Sequence, residues 1–270
     1  MLPVINAQKE TRRIVNFLKQ TFKQQKIGKA VIGLSGGIDS ATSYYLLKKV
    51  LPEKNIIAVN LPYFNQPAPE FANKIISIKK IADTISKGTQ ESEDARLRRL
   101  GIPALAGGFP LEASKRVSSF PDSNIIRLGN IMARVRMIIL FDLAKKNNAL
   151  VVGTENKTEH LLGYFTRFGD AASDIEPIRH LYKTQVYQLA KYLGVPEKII
   201  KQKPTAGLWA GQTDEGEFGF TYEEADNVLY LHYDRGKVIK EIEKTDFPNA
   251  EKILVWAKKN AYKNNTPYAL

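Results

Sequence analysis

Residues 31–42, VIGLSGGIDSAT, place two glycines, an aspartate and two serines between an apolar run and the start of a helical pattern. An apolar run that stops at Gly-Gly and gives way to helix is a strand–turn–helix. In such a turn successive backbone N–H groups line a concavity at a helix amino terminus, where unpaired donors and the helix dipole favour an anion. Glycine allows positive φ and close approach of a phosphate. The Gly-Lys-Ser/Thr ending of the mononucleotide P-loop is absent, so any phosphate is bound in another way. The plain alternative is a glycine turn followed by an Asp or Ser cap.

Working outward, strands alternate with helices. Ile14, Leu18 and Phe22 recur every four residues within 9–25, with Val15 beside them, predicting a helix with one apolar stripe. The segments 29–35, 55–63 and 149–156 read as continuous apolar strands, and 129–146, rich in Ile, Met and Leu, as a long helix. Continuous apolar strands between helices imply a parallel sheet covered on both faces, an α/β Rossmann-like fold. Ligands of such sheets bind at the carboxyl ends of strands, where the glycine turn lies. Residues 84–125 combine a charged stretch with a Gly/Pro-rich one and predict a mobile loop or a local helix. The 270 residues are expected to form one domain.

Composition narrows the function. The chain has no cysteine, which excludes disulfides, thiolate metal sites and a cysteine nucleophile. Charges interrupt the amino-terminal residues where a signal peptide is apolar, and no run approaches the ~20 apolar residues of a membrane span, so a soluble, cytoplasmic protein is expected. The net charge of +12 attracts polyanions. Its lysines, however, are scattered in pairs such as Lys48-Lys49 and Lys145-Lys146, as on solvated helix ends, so nucleic acid is not the expected partner.

The SGGIDS turn resembles the pyrophosphate loop of ATP pyrophosphatases, which split ATP into AMP and pyrophosphate while activating a carboxyl or carbonyl group. Four further stretches, GNIMARVRM (129–137), GTENKTEHLLGYFTRFGDAASDIEPI (153–178), LYKTQVYQLAKYLGVP (181–196) and PTAGLWAGQTDEGEFGFTYEEAD (204–226), are together similar to the ammonia-dependent NAD synthetases. The likeness implies amidation of deamido-NAD by ammonia through an acyl-adenylate, with ATP as co-substrate and a homodimeric assembly. It implies an ATP site of Gly33, Leu34, Ser35, Gly36, Gly37, Ile38, Asp39, Ser40, Thr154, Lys183 and Thr205, and magnesium held by Asp39 and Glu159. It further implies that Arg134, Arg167, Asp174, Tyr262 and Lys263 hold deamido-NAD, and that Lys183 serves in catalysis. Asp170 lies where the reacting carboxyl is expected and is the candidate to take a proton from ammonium.

Two departures from the family pattern stand out. Arg167 replaces the usual lysine, and Tyr262-Lys263 a His-Lys pair, in a tail (260–270) expected to stay mobile until substrate binds. Glutamine-using relatives add a glutaminase domain with a cysteine nucleophile, so ammonia is the expected nitrogen donor.

Each residue also has an ordinary role. Glu159 reads as a first-turn helix carboxylate, Lys183 as a surface lysine before a helix, Asp170 and Asp174 as turn caps, and Arg134 as a solvent-facing arginine. Trp209, Phe218 and Phe220 read as packing residues. A tRNA-modifying pyrophosphatase or a non-catalytic nucleotide sensor would share the glycine turn.

Overall fold

The computed structural model describes residues 1–65, 67–89, 123–205, 212–265, 267 and 268. Helix α1 (Ala7–Gln25) leads into β1 (Ala30–Gly33), α2 (Ile38–Leu47), β2 (Ile56–Asn60), β3 (Lys74–Ile75) and α3 (Lys79–Gly88). After residues outside the description come α4 (Ser123–Asn147), β4 (Leu150–Val152), α5 (Lys157–Leu162), α6 (Lys183–Leu193) and α7 (Glu197–Ile200). The chain ends with α8 (Asp214–Phe218), α9 (Tyr222–Leu229), α10 (Ile239–Ile242) and α11 (Ala250–Asn260). The expected loop or helix of 84–125 is helical at both ends, and its remainder, 90–122, lies outside the described residues.

The four strands pair in parallel in the order β3-β2-β1-β4, with Ile32 between Ala58 and Val152. Both faces are buried, as the uninterrupted apolar strands require. Ala30, Ile32, Ile56 and Ala58 face a core completed by Ile14, Leu18 and Phe22 of α1 and by Leu46, Val186 and Leu189. Val31, Val59 and Val151 face the opposite core, with Met132, Val135 and Leu143 of α4. Leu18 is wholly buried, and truncating it to Ala would cost about 2–5 kcal/mol. β3, two exposed residues held to β2 by backbone pairing, is too short to leave a pattern in the sequence.

A third core contains no strand. Phe218, Phe220, Tyr222, Val228, Leu229 and Ile253 gather among α8, α9 and α11. Phe218 stacks on Phe220 with centroids 5.2 Å apart and meets Trp256 edge-on. Both phenylalanines are therefore packing residues, as read above; Trp209 lies outside the described residues.

The chain leaves β1 toward β2 and later returns to β4 on the other side, so the loops following β1 and β4 diverge and open a crevice between them.

Candidate active site

The glycine turn forms one wall of the crevice. Gly36 has φ of +90°, a conformation that disfavours any side chain. Gly37 is the extended N-cap of α2 and carries no side-chain cap, so the first N–H groups of the helix face outward unpaired by any cap. The serines brace the turn: Ser40 Oγ donates to the Gly37 carbonyl at 3.0 Å, while Ser35 Oγ bonds Ser40 Oγ and accepts the Gly37 N–H at 3.1 Å. These bonds fix a donor-lined cradle before any anion arrives.

The opposite wall begins after β4. Thr154 is half-buried there, and Asn156 caps α5 in a reciprocal box with Glu159. Three helix amino termini then meet. Asp39 lies in the first turn of α2, Glu159 in that of α5, and Lys183 opens α6. Lys183 Nζ reaches Asp39 Oδ2 at 2.5 Å and Glu159 Oε1 at 3.1 Å, and lies 5.0 Å from the centre of the Tyr222 ring. Asn156 Nδ2 donates to the other oxygen of Asp39 at 3.0 Å. Lys183 is 2% exposed, so the surface-lysine alternative fails.

Burial pulls the Lys183 ammonium down, but the charges of Asp39 and Glu159 outweigh it and hold the group protonated. Burial pushes the Glu159 carboxyl up, reinforced by Asp39 and opposed by Lys183. One ammonium cannot fully neutralise two carboxylates, and the shorter contact makes Asp39 its main partner. Glu159 is thus the carboxylate that gains most from a second cation.

Asp226, wholly buried, fastens this meeting point. It accepts from Thr158 Oγ1 and, through its other oxygen, from Thr184 N and Oγ1 at 2.7 Å, locking α5 to α6. Burial lifts its carboxyl to about 6 against those bonds. Neither Asn156 nor Asp226 was among the sequence candidates. The Asn-x-x-Glu spacing at 156–159 signals a capping box, whereas nothing near Asp226 marks it.

Beyond this meeting point, residues 164–174 lie against α4. Gly169 touches Ala133 so closely that a Cβ would come within 3.0 Å, Thr166 Oγ1 donates to Asn130 Oδ1 at 2.7 Å, and Arg134 Nε donates to the Arg167 carbonyl at 3.3 Å. Asp170 Oδ1 accepts the Thr166 N–H at 2.9 Å, as a turn cap does. Asp170 keeps a face open to water; protein crowding its other sides raises its carboxyl against the pull of that N–H. Asp174 accepts the Val151 N–H at 2.7 Å, clamping this segment to β4. The Arg167 guanidinium lies 5.2 Å from the centre of the Tyr262 ring. Lys263 Nζ donates to the carbonyls of Gly163 and Phe165 at 2.7 and 3.1 Å, so this residue is held against the start of segment 164–174. A cavity of about 170 Å³ opens among Glu155, Phe165, Arg167, Phe168, Arg179 and Lys263.

The sequence candidates thus fall into two groups. Gly33 to Ser40, Thr154, Glu159 and Lys183 surround the crevice, while Arg134, Arg167, Asp170, Tyr262 and Lys263 surround residues 164–170. Asp174 is turned to β4 by the bond given above. Thr205 is exposed beside 206–211, which lie outside the described residues.

A sequence model of NAD synthases matches residues 10–267, from α1 to beyond Lys263. The chain belongs to the NAD synthase family. Among its relatives, the ammonia-dependent NAD+ synthetase of Thermoplasma acidophilum is 40% identical over 261 residues, 97% of each chain. The solved structure of the ammonia-dependent NAD synthetase of Campylobacter jejuni, a complex with nitrate, superposes with a TM-score of 0.73 at 30% identity, covering 98% of this chain and all of that one. The NMN synthetase of Francisella tularensis superposes with a TM-score of 0.76 at 32% identity, over 98% of this chain and 99% of that one. Both groups of candidate residues lie inside the stretch that matches the NAD synthase family.

Proposed function

We propose that this member of the NAD synthase family amidates the nicotinate carboxyl of deamido-NAD with ammonia, cleaving ATP to AMP and pyrophosphate. Beyond membership of the family, the observation that carries this function is the buried Lys183 ammonium between Asp39 and Glu159, at the open end of a donor-lined glycine turn. A carboxylate oxygen of the substrate bonds to the α-phosphorus of ATP as the bond to the departing pyrophosphate breaks. Lys183, the first N–H groups of α2 and the two braced serines take up the charge on that leaving group. Gly33 to Ser40, Thr154 and Thr205 form the ATP site.

Asp39 and Glu159 would hold magnesium. The donor set suits it: two hard carboxylates already bring an oxygen within 3.1 Å of one cation, the Lys183 ammonium. Among the described residues no cluster of three or more His, Cys, Asp or Glu offers a fuller cage, so phosphate oxygens and water would complete the shell. When bound, such an ion neutralises phosphate charge.

In the second half-reaction ammonia nitrogen bonds to the acyl carbon, the carbon–oxygen bond to AMP breaks, and a proton passes from nitrogen to Asp170. A raised carboxyl that still reaches water suits that acceptor. Arg134, Arg167, Asp174, Tyr262 and Lys263 hold the dinucleotide. The proposed assembly is a homodimer, supported by Ile125, Ile126 and Ile138, which stand exposed on α4. The proposed location is the cytoplasm, consistent with a chain in which no described helix is long and apolar enough to cross a membrane.

The test supplies ATP, magnesium, ammonium and deamido-NAD to the pure chain; NAD, AMP and pyrophosphate in equal amounts are expected. No product, or equal NAD formation with glutamine as the only nitrogen source, contradicts the proposal. The likeness to the Francisella enzyme favours a second substrate, nicotinate mononucleotide. Running both acids side by side separates the two by kcat/KM.

A further inference from the structure

Helix α4 touches three parts of the site along one face. Ala133 lies against Gly169, next to Asp170; Arg136 donates Nε to the Leu61 carbonyl, just past β2, at 3.1 Å; and Leu140 lies against Gly33, where a Cβ would come within 3.2 Å. Steps of three and four residues keep these side chains on one face. Arg136 therefore stands midway between the start of the ATP turn and the segment that bears Asp170, where the α-phosphate and the substrate carboxylate must meet.

The fork of Arg136 is only partly engaged. Nε is committed to Leu61, and among the described residues its terminal amino groups have no hydrogen-bond partner. The side chain is half-buried, and burial pulls its pKa down while the nearby Asp170 charge pulls it up. Asp170 is within electrostatic reach, yet no ion pair joins them, and its Oδ1 is engaged by Thr166. A guanidinium keeps its charge in proteins and presents paired donors to anionic oxygens. A fork aligned by one bond to a strand end, with two donor groups unengaged, suits a phosphate.

We propose that Arg136 is a catalytic residue whose terminal amino groups hold the non-bridging oxygens of the α-phosphate, first in ATP and then in the acyl-adenylate. This rests on the amidation proposed above. Arg136 makes and breaks no covalent bond. It neutralises charge while the carboxylate oxygen bonds to phosphorus and pyrophosphate leaves, and again while nitrogen bonds to the acyl carbon and AMP leaves. Lys183 serves the pyrophosphate end and Arg136 the AMP end.

The test uses Arg136→Met and Arg136→Lys in the full chain. It measures deamido-NAD-dependent ATP–pyrophosphate exchange, NAD formation from ammonium, the KM for ATP and the melting temperature. For Arg136→Met, kcat should fall at least ~100-fold in both half-reactions while the KM for ATP moves only a few-fold; Arg136→Lys should recover part of the loss as a point charge without the fork. Unchanged exchange with a slowed ammonia step, or a shift only in its pH profile, would assign Arg136 to Asp170 and overturn the proposal. Parallel losses of ATP binding and melting temperature in both variants would overturn it in favour of a structural role at Leu61. Should Arg136→Met fail to fold, full exchange in Arg136→Lys would overturn it equally. Absence of exchange in the unmodified chain would instead overturn the amidation itself, and this proposal with it.

Discussion

The crevice around Lys183 and the segment 164–174 are built by opposite means. At the crevice, side chains from three helix amino termini bond one another, and the groups are fixed by strand ends and helix caps. At 164–174, alongside the Thr166–Asn130 pair and the Ser173–Glu176 bond, side chains bond backbone: Lys263 holds the Gly163 and Phe165 carbonyls, Arg134 the Arg167 carbonyl, and Asp174 the Val151 N–H. The first region is a charge cluster that any added cation must enter. In the second, Lys263 and Arg134 are held by carbonyl oxygens and Arg167 lies over a ring, so an anion entering there would compete only with neutral partners. Substitutions of the paired ions should therefore act through charge at the crevice, and substitutions of the cations through shape at 164–174.

The largest effect is expected for Lys183→Met. It leaves Asp39 and Glu159 without their ammonium, and turnover should fall by ~10³-fold, the upper scale for one preorganised electrostatic group. If the three groups form a single cation site, magnesium should raise the melting temperature of Lys183→Met more than that of the unmodified chain. Equal shifts in the two melting curves would show that Asp39, Glu159 and Lys183 do not form a single cation site.

Next come Asp39→Asn and Glu159→Gln, each expected to lower turnover about 100-fold. Each should raise the magnesium required while leaving deamido-NAD binding nearly intact. Groups that serve one ion act as a unit, so the double variant should lose far less than the product of the two losses. AMP release measured against magnesium concentration decides it; wild-type magnesium dependence in both single variants would reduce the turn to a helix cap. At the other region, Asp170→Asn should slow the ammonia step by about 100-fold and spare pyrophosphate exchange. Equal losses in both steps would remove Asp170 from proton transfer.

What the sequence disclosed follows the same division. The turn at 33–40, the strands around it and the stripe of α1 were legible because each is a local pattern, apolar period or glycine spacing, that one short window contains. The burial of Lys183 was not. YKTQV looks like any helix start with a solvated lysine, and the family likeness points to the residue but not to its burial. Asp226 escaped altogether, since its partners Thr158 and Thr184 lie 68 and 42 residues away and no spacing links them. Of the core of α8, α9 and α11 only Phe218 and Phe220 read as packing in the sequence, and without a strand the rest offers no layer to predict. Arg134 and Asp170 were named through the likeness, whereas the carbonyl and N–H they bond depend on how 164–174 lies on α4.

A smaller effect, on stability alone, concerns Glu176, which accepts from Ser173 Oγ and Glu155 N. Burial raises its carboxyl from 4.5 to about 8. The folded chain therefore holds a proton there that the unfolded chain releases above its own, lower pKa. The stability associated with that proton is complete below about 4.5 and falls as pH rises, until it is lost above about 8. Glu176→Gln mimics the protonated form at every pH. Its melting temperature should gain on the unmodified chain between pH 5 and pH 8, by about 5 °C for an effect of about 2 kcal/mol. A difference that stays constant with pH would mean Glu176 is ionised in the fold.

The smallest effect tests whether shape governs the region 164–174. Arg167 lies over the Tyr262 ring, and the ring is 46% exposed, so the contact belongs to the weak, solvated class of cation–π pairs. Lysine keeps the charge but loses the flat guanidinium that can lie on a ring. Arg167→Lys should accordingly raise the KM for deamido-NAD by only ~2–5-fold with kcat unchanged, matching ~0.5–1 kcal/mol. Tyr262→Leu should do the same by removing the ring. If the two side chains act as one stacked surface, the double variant should be no worse than either single one, because the second change removes a contact already lost. Multiplying losses would show that Arg167 and Tyr262 meet the substrate separately. In that case charge rather than shape would govern 164–174 as it does the crevice.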